Sequence, residues 1–242
     1  ASGHFFIVGA FKAGHWQIPG VGVSVAALEL GVAELGLALS QKQVADLNMF
    51  LQELERWNRV HNLTSVEGEQ ASIDLHLIDS IAILPIMREF LPSTQVHIAD
   101  LGSGGGLPAI PIAIAEPHWR ISLIEAVRKK TAFLQNVKGK LGLVNASIYS
   151  ERVEQVASQE PGKYDAVMSR AFTSLDRFLD LAEPFLKPGG LVFAMKAKRA
   201  DEELLAVSTE RWRLLADRFV LIPNSTAERR LLVFTPHAKI TP

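Results

Sequence analysis

Apolar residues recur at spacings of three and four through Val44, Leu47, Phe50, Leu51, Leu54 and Trp57, one face of a helix. Ser40 stands before them as the expected N-cap. A second helix is predicted over 72–90, with Ile73, Leu77, Ile81 and Leu84 on one face. Leu91-Pro92-Ser93-Thr94 then reads as a linker. From Val96 the pattern alternates. Strands are predicted at 96–101, 121–125, 146–150, 165–170 and 190–196, and helices at 108–115, 129–141, 153–158, 174–186 and 201–208. Segments 213–222 and 230–235 close the chain as strands. This alternation predicts an α/β fold with a doubly wound, Rossmann-like sheet. The expected organisation is an extension over 1–39, a small helical unit over 40–91 and an α/β domain over 92–242.

The extension is read in two overlapping parts. It opens Ala1-Ser2-Gly3-His4 without a Met, and residues 1–27 are Gly-rich with little charge. They are read as disordered or as a translation or expression artefact, with no functional role. Residues 21–40 are mildly apolar but carry Glu29 and Glu34. Each would cost roughly 2.5–3.5 kcal/mol at mid-membrane, so an amphipathic or poorly ordered segment is expected there, not a span. A signal peptide is not expected either, because no basic residue precedes the short run 5–11.

Composition narrows the chemistry. Hydrophobic residues at 48% and charged residues at 21% over 242 residues describe a chain that buries a core. With no cysteine there is no disulfide, thiolate metal site or Cys nucleophile, and a reducing, cytoplasmic setting is expected. The net charge of −1 gives no bulk signal for nucleic acid. The seven histidines show no ligand spacing, so no metal site is expected. Three N-x-Ser/Thr sequons, at Asn62, Asn145 and Asn224, are discounted as chance patterns.

The sharpest signal is Asp100-Leu101-Gly102-Ser103-Gly104-Gly105-Gly106-Leu107-Pro108, between a predicted strand and a predicted helix. Glycines there let the backbone turn tightly and approach a ligand closely. A dinucleotide fingerprint requires a third Gly at position 107, where Leu107 stands. The observed G-x-G-x-G, preceded by an acidic residue, resembles the loop of S-adenosylmethionine-dependent methyltransferases. Glu125 follows 23 residues after Gly102, at a strand end, where a carboxylate can accept from both ribose hydroxyls. Val153 and Glu154, after the third strand, are placed to flank an adenine.

Further segments make the resemblance specific: Trp57-Asn58-Arg59-Val60-His61-Asn62-Leu63-Thr64, His76-Leu77-Ile78-Asp79-Ser80, Ser169-Arg170-Ala171-Phe172-Thr173-Ser174-Leu175 and Ala194-Met195-Lys196. With the glycine loop, and in this order, they resemble the bacterial 16S ribosomal RNA guanine-N7 methyltransferases, also called glucose-inhibited division protein B. The resemblance spans about residues 44 to 235. It implies methyl transfer from S-adenosylmethionine to N7 of a guanine in 16S rRNA. The implied substrate form is the small ribosomal subunit or an assembly intermediate, with a monomeric protein and no membrane.

Carried over to matching positions, the resemblance assigns the donor loop to Gly102, Ser103, Gly104 and Leu107. It assigns the ribose side to Glu125, Ala126 and Val127, the adenine side to Val153 and Glu154, and the cofactor and substrate pocket to Arg170, the candidate catalytic residue. Ala109 and Ala197 stand where the family usually has Gly, which leaves the loop geometry open.

The residues themselves leave alternatives. Arg170 is read as a donor to guanine oxygen, as a holder of the cofactor carboxylate, or as a strand-end ion pair. Phe172 is read as core packing ahead of base stacking. His76 and Asp79 are read as lining the mouth or as a hydrogen bond between units. Asn58, Asn62 and Thr64 are read as a self-capped loop ahead of substrate contact. Basic clusters at 128–130, at Lys196 with Lys198 and Arg199, and at Arg229-Arg230 are each read as a solvated face ahead of a phosphate contact, and RNA binding is expected if the fold brings two of them to one side of the pocket. Two other functions remain: a ribosome assembly factor that binds the donor without turnover, and a nicotinamide-dependent dehydrogenase.

Overall fold

The computed structural model describes residues 25–61, 77–91, 95–170, 172–196, 200–223 and 229–238. The expectations for Asn62, Thr64, His76, Ala171, Ala197, Lys198, Arg199 and Asn224 lie outside them.

The alternating region forms one seven-stranded sheet. Its strands are β1 (His97–Leu101), β2 (Arg120–Ile124), β3 (Ala146–Tyr149), β4 (Tyr164–Arg170), β5 (Leu186–Lys196), β6 (Trp212–Phe219) and β7 (Arg230–Pro236). The order is β3-β2-β1-β4-β5-β7-β6. The first five are parallel, and β7 inserts antiparallel between β5 and β6. Strand order reverses between β1 and β4, the switch point where open α/β sheets bind ligands at the strands' carboxyl ends.

Helices cover both faces, so successive strand residues feed different cores. Ile98 joins one core, and Ala99 and Leu101 the other; Leu231 and Val233 alternate likewise with Leu232 and Phe234. On the first face lie α2 (Gln41–His61), α4 (Leu84–Phe90), α5 (Ala109–Ala115) and α6 (Arg128–Leu141). On the second lie α7 (Val153–Gln159), α8 (Leu175–Ala182), a 3-10 turn (Glu183–Phe185) and α9 (Ala200–Leu204).

The predicted face of α2 is the buried one: Val44, Leu47, Phe50, Leu51 and Leu54 are in the core, and the Trp57 ring meets Phe133 of α6 at 5.6 Å. Ser40 caps it reciprocally. Gln43 N donates to Ser40 Oγ at 3.3 Å, and Ser40 N donates to Gln43 Oε1 at 2.9 Å, a capping box.

Two expectations are corrected. The helix expected over 72–90 is not continuous. It is helical at 77–81 (α3), breaks at 82–83 and resumes as α4. Pro85 sits in the first turn of α4, where its missing N–H costs nothing, whereas inside a longer helix it would remove a bond. The folded body also begins before residue 40. Val25–Glu34 forms a helix, α1, that buries Leu28 and Val32. Its Gly31 lies against Ile78 of α3: a Cβ there would stand 2.9 Å from Ile78 Cδ1. Among the described residues no helix is long and apolar enough to cross a membrane.

Candidate functional site at the carboxyl edge of the sheet

β1 ends and the glycine loop begins on the edge that also carries the ends of β2, β4 and β5. Gly102 N and Ser103 N both donate to Ile124 O of β2, at 2.9 and 3.1 Å. The loop then folds on itself, with Gly106 N donating to Ser103 O at 2.7 Å. Gly102 and Gly106 have φ of +71° and +82°, the left-handed region that side chains avoid. At Gly106 a Cβ would fall 2.7 Å from Ile110 and 2.9 Å from Leu134, so glycine also brings the loop down onto α5 and α6.

Glu125 fastens this loop to the next turn. Its Oε2 accepts from Gly104 N at 2.9 Å and its Oε1 from Val127 N at 2.8 Å. The carboxylate is buried, while Ala126 and Val127 are exposed beside it. Each oxygen retains acceptor capacity beyond its backbone bond. Leu107 and Ser103 are buried, and Ser103 Oγ donates to Asp100 O at 3.0 Å.

Asp100, at the head of the loop, is 1% exposed, and its Oδ2 has no partner among the described residues. Burial pushes its carboxyl up to about 7; Ser103 and Arg170 oppose that shift and Glu125 adds to it. A buried, unpartnered oxygen beside a cradle of glycines is what a ligand carrying an N–H donor would complete.

Arg170 ends β4. Ser169 Oγ before it donates to Leu101 O at 2.9 Å, tying β4 to β1. Arg170 Nη1 lies 3.4 Å from Asp79 Oδ2, so the strand-end ion pair is present. Arg229 Nε meets both oxygens of the same carboxylate, at 3.1 and 3.3 Å. Burial lowers the Arg170 pKa, Asp79 and Asp100 raise it, and Arg229 lowers it further.

The family described as rRNA small subunit methyltransferase G matches residues 43–233. The chain belongs to that family. It is 66% identical over 213 residues to the ribosomal RNA small subunit methyltransferase G of Polynucleobacter asymbioticus, covering 88% of this chain and 96% of the relative. The Aromatoleum aromaticum protein of the same name is 41% identical over 215 residues, 87% of this chain and 98% of that one. Solved structures agree on the fold. M. jannaschii TYW2, solved with AdoMet, superposes with a TM-score of 0.50 at 16% identity over 71% of this chain and 78% of its own. TrmN from Thermus thermophilus gives 0.50 at 15%, over 66% and 48%. Neither the dehydrogenase reading nor the turnover-free assembly factor finds support here.

Within this methyltransferase, the residues singled out for the site lie at the carboxyl edge of the sheet, with unequal surroundings. Gly102, Ser103, Gly104, Glu125 and Val127 are joined by the hydrogen bonds above, and Arg170 acts on Asp100 through space. Val153 is buried at the start of α7, but the exposed Glu154 carboxylate pairs with Arg177 at 3.4 Å. Phe172 is not core: it is 38% exposed and its ring lies on Gly102. Of its two expected roles, Asp79 shows the hydrogen bond between units, joining α3 to Arg170 and Arg229 at the sheet edge.

Among the described basic residues of these clusters, Lys196 and Arg230 are engaged by acidic side chains. Lys196 Nζ bonds Glu203 at 2.7 Å and Thr173 O at 3.1 Å. Arg230 is held by Asp201 at 2.6 Å and by Asp217. Sequence reasoning missed Glu203, whose Oε2 also accepts from Leu175 N at 2.7 Å and so serves the start of α8. It also missed the tie between Arg229 and Asp79. Among the described residues, no group of three or more acidic or histidine side chains is placed to hold a metal ion.

Proposed function

We propose that this methyltransferase moves a methyl group from S-adenosylmethionine to N7 of one guanine in 16S rRNA, presented by the small subunit or an assembly intermediate, and that it acts as a cytoplasmic monomer. The observation that carries the reading is the buried Glu125 carboxylate, fixed by Gly104 N and Val127 N at the foot of the glycine loop.

The residues fit the donor. The spare lone pairs of Glu125 suit two ribose hydroxyls. Val127 and Val153 supply apolar surface for a purine, with Ala126 and Glu154 at its rim. The unpartnered Asp100 Oδ2 suits an ammonium group, and Gly102, Ser103, Gly104 and Leu107 let the backbone come close to it. The donor's sulfonium supplies an electrophilic methyl carbon. The protein's task is to hold acceptor and donor in line.

Guanine N7 carries a lone pair and no proton, so its attack needs no general base. The chain has no cysteine to add to a pyrimidine ring. In this reading Arg170 donates to guanine O6 or to the donor's carboxylate through N–H groups that Asp79 does not use.

The test is transfer of tritiated methyl from S-adenosylmethionine to undermethylated small subunits and, separately, to naked 16S rRNA, with digestion to nucleosides. Label in 7-methylguanosine is expected, and more of it from subunits than from naked RNA. Label in any other nucleoside would sink the N7 assignment.

A further inference from the structure

Phe172 stands two residues beyond β4, and the chain on either side of it is fastened. Before it, Ser169 Oγ donates to Leu101 O at 2.9 Å. After it, Thr173 O accepts from Lys196 Nζ at 3.1 Å, and Leu175 N donates to Glu203 at 2.7 Å. Its ring rests on Gly102, where the missing Cβ makes room for it. Yet 38% of the residue stays exposed, and among the described residues it meets no other aromatic ring. Single exposed apolar side chains are common on protein surfaces. This one is set apart by its seat, a fastened mount at the carboxyl edge of the sheet, on the glycine loop and two residues from Arg170.

The strand order separates Phe172 from the donor's purine. Val127 and Val153, the apolar surface for that purine, follow β2 and β3 on one side of β1. Phe172 follows β4 on the other side. The flat group that comes to the β4 side, where Arg170 also stands, is the acceptor base.

We propose that Phe172 stacks on the target guanine, fixes the plane of its ring and stabilises the positive charge that the ring acquires. The inference rests on the guanine-N7 reading above. A hydrogen bond from Arg170 to O6 holds one edge of the base but lets the ring pivot about it. The N7 lone pair lies in the ring plane, so the plane sets the direction of attack. That pair forms the new bond to the methyl carbon, the pair of the broken carbon–sulfur bond stays on sulfur, and the positive charge passes from sulfur to the purine. No proton moves. The π face of Phe172 is negative and attracts a flat cation more than a neutral ring. Its contact therefore strengthens along the reaction, which raises kcat and not affinity alone.

The experiment is steady-state methylation of undermethylated small subunits by the wild type, F172L, F172Y and F172W, with calorimetric donor titration and thermal unfolding of each. Filter retention of undermethylated and of already methylated subunits is measured with S-adenosylhomocysteine present. F172L keeps apolar bulk without a π face. It is expected to lower kcat/KM about 30-fold, most of it in kcat, with donor Kd within about threefold of wild type. It should also lose about threefold more affinity for methylated than for undermethylated subunits. F172Y and F172W keep the face and should stay within about threefold of wild type in kcat/KM. Wild-type kcat/KM in F172L would overturn the proposal. So would a donor Kd that rises as far as kcat/KM falls, which would leave Phe172 as a brace of the glycine loop. Should F172L fail to fold, F172M, ringless and more adaptable, takes its place. If wild-type protein labels no RNA, the functional reading fails instead. Retention then decides alone: affinity for undermethylated subunits lost in F172L and restored in F172Y supports the stack, and equal retention overturns it.

Discussion

The ring of Phe172 lies directly on Gly102: a Cβ built at Gly102 would stand 2.2 Å from Phe172 Cδ2 and 2.7 Å from Cε2. Phe172 follows β4 by two residues and Gly102 follows β1 by one, so the contact joins the loops after two neighbouring strands. It places an aromatic face on the loop assigned to the donor. It also explains why position 102 requires glycine for two reasons at once, the φ of +71° and the ring.

Gly102→Ala is therefore expected to destabilise the protein and abolish donor binding. The left-handed conformation costs a non-glycine residue about 1–2 kcal/mol. Overpacking against the ring adds about 1–3 kcal/mol. Urea denaturation and donor titration read the two losses. Adding Phe172→Ala should recover part of the stability, because the clash goes while the backbone strain stays. A double variant no more stable than G102A would remove the ring from this account.

Glu125→Gln separates charge from shape. Both carboxylate oxygens accept from backbone N–H groups, at Gly104 and Val127. Glutamine offers one oxygen, so one of those N–H groups faces an amide NH2. A buried donor left unsatisfied costs about 1–3 kcal/mol. The variant should fold with reduced stability, and its donor Kd should rise by at least about tenfold as a ribose acceptor is lost. Calorimetric titration with the donor checks this. An unchanged Kd would mean that Glu125 only braces the loop.

Much of this fold is legible in the sequence. The parallel strands are buried on both faces, so Ile121, Leu123 and Ile124, broken only by Ser122, stand out between Arg120 and Glu125. The glycine loop and Glu125 are local signals tied to strand ends. What escaped depends on pairing across long separations. No local pattern says that β7 enters between β5 and β6. Nothing near Arg229 points to Asp79, 150 residues earlier. The break at 82–83 was hidden because Leu77, Ile81 and Leu84 are all buried, so the periodicity runs through it. α1 escaped because apolar residues are spread around it, with Leu28 and Val32 buried but Leu30 54% exposed.

Asp100 makes stability pH-dependent in an unusual direction. Its carboxyl is raised from 3.8 to about 7 by burial, with Arg170 and Ser103 opposing and Glu125 reinforcing. Below about pH 4 folded and unfolded chains both hold the proton. Between there and about 7 only the folded chain holds it, so each rise in pH lowers stability. The loss is complete above the folded value. Asp100→Asn removes the titration. It is expected to be more stable than wild type at pH 8, by up to a few kcal/mol, with the difference shrinking towards pH 5. It should also bind the donor more weakly at pH 8, where the wild-type carboxylate is charged. Urea denaturation at pH 5, 6.5 and 8 provides the comparison. Parallel pH dependences in the two proteins would assign the proton to another group.

Gln43 offers a test of the scaffold apart from the chemistry. Its Oε1 accepts from Ser40 N at 2.9 Å and from Ser40 Oγ at 3.0 Å at the start of α2. Its Nε2 donates to Ile114 O at 2.9 Å and Ala115 O at 3.0 Å, carbonyls of the last turn of α5. Helix ends leave such carbonyls without partners inside the helix, so one side chain serves two termini. Removing it leaves part-buried carbonyls unmet, at about 1–3 kcal/mol. Ser40→Ala removes only the hydroxyl of the cap, at about 1 kcal/mol. Gln43→Ala should therefore cost more than Ser40→Ala in urea denaturation. The glycine loop leads into the opposite end of α5. Donor affinity should accordingly stay within about twofold of wild type in both variants. Equal costs for the two substitutions would show that the bonds to α5 add nothing beyond the cap.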